Sequence, residues 1–168
     1  MMKRMADRRT IAYAAAAAIF VLDRASKWMV ERYVSFTDDY RVIPGLFDIV
    51  RSQNRGVAFG ILNDSTATWR TLGLLTLTLA AVVVVAGILW KAERMERLTL
   101  SGLACILGGA AGNAFDRLIS GQVTDFLELY IGQYHWPTFN VADSAIVIGS
   151  GLFLIDALRS KRQTANVP

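Results

Sequence analysis

A single cysteine and a single histidine are all that this 168-residue chain contains of those two ligand types. Cys105 lies inside an apolar block, so a disulfide framework and a cysteine metal site are both excluded. As a nucleophile it would sit mid-membrane with no base beside it. His135 has no nameable serine partner, so serine–histidine catalysis has no support. A metal site would need mostly carboxylate ligands, and neither metal nor cofactor is expected. The chain also lacks internal repeats, and its only biased stretches are an alanine run and a polar C-terminal tail.

Apolar residues are abundant. They make up 54% of the chain, and they come in long blocks. Blocks of that length argue for lipid rather than for a water-soluble core. The expected fold is an α-helical integral membrane protein with four transmembrane helices, a small extracytoplasmic β-sheet and a short interfacial helix. A single membrane domain is expected over 1–168, with spans at about 11–30, 70–90, 98–118 and 141–158. Leu72 to Trp90 carries no charge and is the clearest span. The first block, with its basic start and alanines, also has the form of a cleavable signal peptide. Three further blocks favour an uncleaved span.

The net charge of +4 is read as topology rather than as affinity for nucleic acid. Lys3, Arg4, Arg8, Arg9, Lys91, Arg94, Arg97, Arg159, Lys161 and Arg162 fall on one side of the spans. Only Arg32, Arg41, Arg51 and Arg55 fall on the other. Both termini are therefore expected in the cytoplasm. Trp28, Trp69, Trp90 and Trp136 lie near span ends, where indole rings favour the interface.

The sheet and small helix are expected at about 36–64. Tyr40 to Ile43 and Leu46 to Ser52 have strand composition, with the turn Pro44-Gly45 between them. Asn54-Arg55-Gly56 forms another turn, Val57 to Leu62 an interfacial helix, and Ser65 or Thr66 a cap for the second span.

Ionisable groups inside spans cost about 3 kcal/mol each on insertion scales, so they are the first candidates for function. Asp23 and Lys27 stand four apart and share a helix face. They form either a structural ion pair or support for a site. Arg24 points away, to snorkel or to meet the sheet. Gly108 and Gly112 make a small-xxx-small pattern for close helix packing. Asn113 and Asp116 lie on one face just after it. Asp116 beside Arg117 is either a helix-end ion pair or part of a site in which the arginine holds a carbonyl or a lipid phosphate.

Two aspartates stand out. Asp125, flanked by apolar residues, should hold its proton unusually tightly through desolvation. Asp143 opens the fourth span, and with Asn140 it has the pattern of a helix cap. Both are expected at the outer ends of membrane helices, at similar depth. Two close carboxylates in low dielectric share one proton, and such a pair can activate water against a peptide carbonyl.

Five stretches occur in order: Leu22-Asp23-Arg24-Ala25-Ser26-Lys27, Asn54-Arg55-Gly56-Val57-Ala58-Phe59, Gly108 to Arg117, Val123-Thr124-Asp125-Phe126 and Phe139-Asn140-Val141-Ala142-Asp143-Ser144. In these the chain resembles the bacterial lipoprotein signal peptidases, the signal peptidase II family. The resemblance implies an aspartic endopeptidase of the inner membrane. Such an enzyme cuts signal peptides from prolipoproteins on the N-terminal side of the diacylglyceryl-cysteine. It implies Asp125 and Asp143 as the catalytic pair. Asn54, Asn113, Arg117 and Asn140 would line or support the site, with Asp23 and Lys27 in support. The implied partners are diacylglyceryl-modified prolipoproteins and membrane lipids, for a monomeric protein. The family often has glutamine at the position of Arg24, and a small or hydroxyl residue at that of Arg55. A proton-coupled transporter and a membrane scaffold are the rival readings. The first is weakened by four short spans without a repeat.

Overall fold

The computed structural model describes residues 2–55, 68–91 and 95–165. Along the chain run α1 (Met2–Tyr33), β1 (Asp39–Ile43), β2 (Phe47–Asn54), α2 (Thr68–Trp90), α3 (Arg97–Ser120), β3 (Val123–Ile131), β4 (Tyr134–His135) and α4 (Val141–Ala165). The expected interfacial helix over Val57 to Leu62 and the cap at Ser65 or Thr66 lie outside the described residues.

Among the described residues, three helices are long and apolar enough to cross a membrane: Thr71–Trp90, Arg97–Ser120 and Val141–Arg159. The first helix, α1, is not among them, because charged side chains recur along it.

The third helix, α3, is the centre of the bundle and packs against α1, α2 and α4. Its small residues make this possible. A side-chain carbon added to Gly109 would collide with the Ala142 carbonyl of α4. Gly108 likewise abuts Ala16 and Ile19 of α1, and Gly112 abuts Asp23. Deeper in the bundle, Ala12, Ala16, Leu89, Leu100, Leu103, Ala104 and Leu107 form a shared core of α1, α2 and α3. The outer surface is apolar too: Leu77, Val83 and Val147 are each about 70% exposed (69%, 70% and 71%), which is where lipid tails belong.

The four strands form one antiparallel sheet in the order β1-β2-β3-β4. The Pro44-Gly45 hairpin forms as expected, with Gly45 at φ +81°. The third strand was not expected. Asp125 therefore does not stand at the end of a membrane helix. The αL cap at Gly121 (φ +71°) ends α3, and the chain turns directly into β3. Val123 to Leu127 carries branched and aromatic residues suited to a strand, but pairing with β2 is what makes it one. Arg51 fastens the sheet to the bundle. It donates to the Glu31 and Val34 carbonyls at the end of α1 (3.0 and 3.3 Å) and lies over the Phe36 ring.

Candidate active site

At the start of α4 the local sequence dictates the geometry. The Asn140 side-chain oxygen accepts the Asp143 N–H at 2.9 Å, and Asp143 Oδ2 accepts the Asn140 N–H at 3.3 Å. This reciprocal cap satisfies two amides that a helix start leaves open. It uses only one Asp143 oxygen. The other, Oδ1, accepts from the Asn113 side chain at 2.7 Å.

Asp125 reaches the same place from β3. A register shift in β2 between Ile49 and Ser52 sets Ser52 opposite Asp125 and brings Asn54 alongside. Asn54 Nδ2 donates to Asp125 Oδ2 at 3.0 Å, and Asn140 Nδ2 donates to Oδ1 at 2.7 Å. Asn140, fully buried, thus caps Asp143 with one side-chain atom and holds Asp125 with the other. Both carboxylates line one cavity of about 1210 Å³. Its walls are the end of β2 (Ser52 to Asn54) with Arg55 after it, part of β3, His135 to Phe139, and α4 at Asp143, Ser144, Val147 and Ile148.

Asp125 is 1% exposed. Burial pushes its carboxyl up to about 6. The amides of Asn54 and Asn140 and the charge of Lys27 oppose that rise, and the Asp143 charge reinforces it.

Behind the pair lies a buried charge cluster. Lys27 Nζ meets Asp23 Oδ2 and Asp116 Oδ2, each at 2.8 Å, and donates to Asn113 Oδ1 at 3.0 Å. Asp23 Oδ1 accepts the Ala142 N–H of α4 at 2.9 Å. Asp23 and Lys27 are therefore more than an ion pair within one helix, since they join α1 to α3 and α4. Two expectations need correction here. Arg24 neither snorkels nor meets the sheet. It pairs with Asp116 and lies over the Phe115 ring at 4.9 Å. The side chain of Asp116 is consequently engaged with Arg24 and Lys27 from α1 rather than with Arg117 in an isolated helix-end pair. Arg117 donates to the Asn113 carbonyl at 3.4 Å, within the electrostatic reach of Asp143 and Asp125.

Asn54, Asn113, Asn140, Asp125 and Asp143 thus form one hydrogen-bonded group, backed by Asp23, Lys27 and Asp116. Gly112 touches that backing, whereas Gly108 lies a turn deeper against α1. Sequence reading missed Glu31, whose carboxylate accepts from Thr124 Oγ1 at 2.7 Å. Its position, one helical repeat beyond Asp23 and Lys27, was the available signal. It also assigned nothing to His135, which lies in the cavity wall, stacked on Tyr130 and 3.1 Å from Glu128. Among the described residues, Asp39, Asp48 and Glu128 form the one carboxylate cluster with metal-ligand spacing. Asp48 is bonded to Tyr130 and Glu128 to His135.

Similarity to known proteins follows the same elements. Residues 15–159 match the family described as Signal peptidase (SPase) II. This chain belongs to the signal peptidase II family. The lipoprotein signal peptidase of Solibacter usitatus is 64% identical over 163 residues, covering 97% of this chain and 99% of that one. That of a Sulfurihydrogenibium species is 41% identical, covering 88% and 91% respectively. A bacterial membrane enzyme solved in meso at 1.9 Å resolution superposes with a TM-score of 0.77 at 26% identity, over 89% of this chain and 93% of that one. Another, solved at 2.3 Å, gives 0.82 at 24% identity over 95% and 94%, a likeness of fold. The chain is thus a membrane protease of lipoprotein maturation.

Proposed function

We propose that this protein removes signal peptides from prolipoproteins on the N-terminal side of the diacylglyceryl-cysteine, using water activated between Asp125 and Asp143. The observation that carries this reading is the double engagement of Asn140, which ties both carboxylates to one wall of one cavity. Burial raises the proton affinity of Asp125, and the pair is read as sharing one proton. The ionised partner takes a proton from water, and the hydroxide adds to the scissile carbonyl. The protonated partner donates to the carbonyl oxygen. Collapse of the tetrahedral intermediate breaks the C–N bond. The amine leaves with a proton from the pair, giving a signal peptide with a new carboxylate and a free lipidated N-terminus. Asn54, Asn113 and Asn140 hold the carboxylates in place, and Arg117 faces the developing charge.

The same reading makes the chain a single four-span monomer embedded in membrane lipids, with α1 as the first span. The charges within residues 11–30 do not oppose this, since Asp23 and Lys27 are fully buried and paired and Arg24 pairs with Asp116. The loop asymmetry of basic residues supports cytoplasmic termini and an active site near the outer face. All four tryptophans are more than half exposed near span ends, as an interfacial belt requires.

The test is cleavage of a lipidated prolipoprotein by purified Asp125→Asn and Asp143→Asn variants. Each is expected to lose at least about a hundredfold in rate while inserting normally. Undiminished cleavage by both would refute the dyad. A helix-capping role alone predicts little effect at Asp143, because asparagine also caps well.

A further inference from the structure

One face of α1 carries Asp23, Lys27 and Glu31 at successive turns. Each grips a different part of the site. Asp23 takes the Ala142 amide beside Asp143. Lys27 holds Asn113, which in turn holds Asp143. Glu31 accepts from the Thr124 hydroxyl at 2.7 Å, one residue before Asp125.

We propose that Glu31 is a positioning residue, which through Thr124 sets where β3 presents Asp125 to Asp143. This rests on the peptidase reading above. Successive side chains of a strand point to opposite faces. Thr124 is buried toward α1 while Asp125 lines the cavity, so Glu31 holds the strand from behind. The bond is charge-assisted and therefore short and directional. Its base is held as well, because Arg51 of β2 donates to the backbone carbonyl of Glu31. The far side of the same residue is tied, since the Thr124 carbonyl accepts from Asn140 Nδ2 at 3.4 Å. Thr124 is thus clamped between α1 and the residue that bridges the two aspartates. A carboxylate pair sharing one water tolerates displacement of about half an ångström, so a strand released on one side costs rate more than binding.

The experiment measures kcat and KM for a lipidated prolipoprotein with purified variants, alongside their melting temperatures. Thr124→Val keeps the shape and removes the donor, and Glu31→Ala removes the acceptor. Each is expected to lower kcat about tenfold with KM changed by no more than about twofold. The double variant should lose no more than either alone. Thr124→Ser restores the donor and should recover most of kcat. Glu31→Gln keeps an acceptor oxygen and should retain most of kcat, and Thr124→Val carries the test if Glu31→Ala does not insert. Full kcat in Thr124→Val, losses that multiply in the double variant, or no recovery in Thr124→Ser would each overturn the assignment. Asp125→Asn and Asp143→Asn in the same assay separate the two failures. If these cleave normally, the peptidase reading falls. If they are dead and Thr124→Val is unimpaired, only the role of Glu31 falls.

Discussion

The second and third helices are neighbours with opposite surroundings. Only 6% of the α2 span is buried within the protein, against 61% of α3. The α2 span, Thr71–Trp90, carries no charged residue and leaves most of its surface for lipid. The α3 helix contains glycine, alanine, asparagine and aspartate, and every other helix packs against it. Hydropathy therefore marks contact with the bilayer, whereas small and polar residues mark contact with the protein's own working parts. In a membrane, burying another apolar surface gains little over lipid, so close approach and polar bonding decide packing.

That contrast is sharpest at Lys27. Its ammonium is the common partner of Asp23, Asp116 and Asn113 on the polar side of α3. Lys27→Met leaves two buried carboxylates without that cation and should destabilise by about 3–5 kcal/mol. Thermal unfolding in detergent measures this. A melting temperature equal to wild type would mean that α3 is held by packing alone.

The next effect depends on pH. The folded-state pKa of Asp125, about 6, lies above its ordinary value of 3.8. The folded state therefore binds this proton more tightly, and the resulting stability is present below the unfolded pKa. It is lost as pH rises through about 6, by an amount on the order of 3 kcal/mol. Asp125→Asn should flatten this part of the stability profile between about pH 4 and pH 7. An unchanged profile would show that burial does not govern this carboxyl.

Glycines supply the smallest and most direct comparison. A methyl at Gly109 meets the Ala142 carbonyl, whereas one at Gly87 of α2 meets nothing within 4 Å. Gly109→Ala should cost about 1–3 kcal/mol and displace the start of α4, lowering cleavage as well. Gly87→Ala should change stability by about 1 kcal/mol or less, in the stabilising direction. Equal effects at both positions would erase the distinction between the two helices.

Much of this was legible beforehand because the signals are local. The apolar blocks, the Pro44-Gly45 hairpin, the Asp23–Lys27 spacing and the Asn140–Asp143 cap each involve residues at most a few turns apart. The third strand was missed because its composition is equally that of an apolar flank, and pairing with β2 decides it. Arg24 was misread because its partner, Asp116, is on another helix.

By itself, then, sequence determined which segments are apolar, that α4 starts on an Asn140–Asp143 cap and which residues carry the family's motifs, since each depends on near neighbours or on residue identity. Tertiary structure alone decided that Asp125 rides on a strand, that Asn140 holds it with one atom while capping Asp143 with another, and that α1 braces both from behind. Those contacts join residues far apart in the chain. They exist only once the glycines of α3 let three helices close to backbone contact.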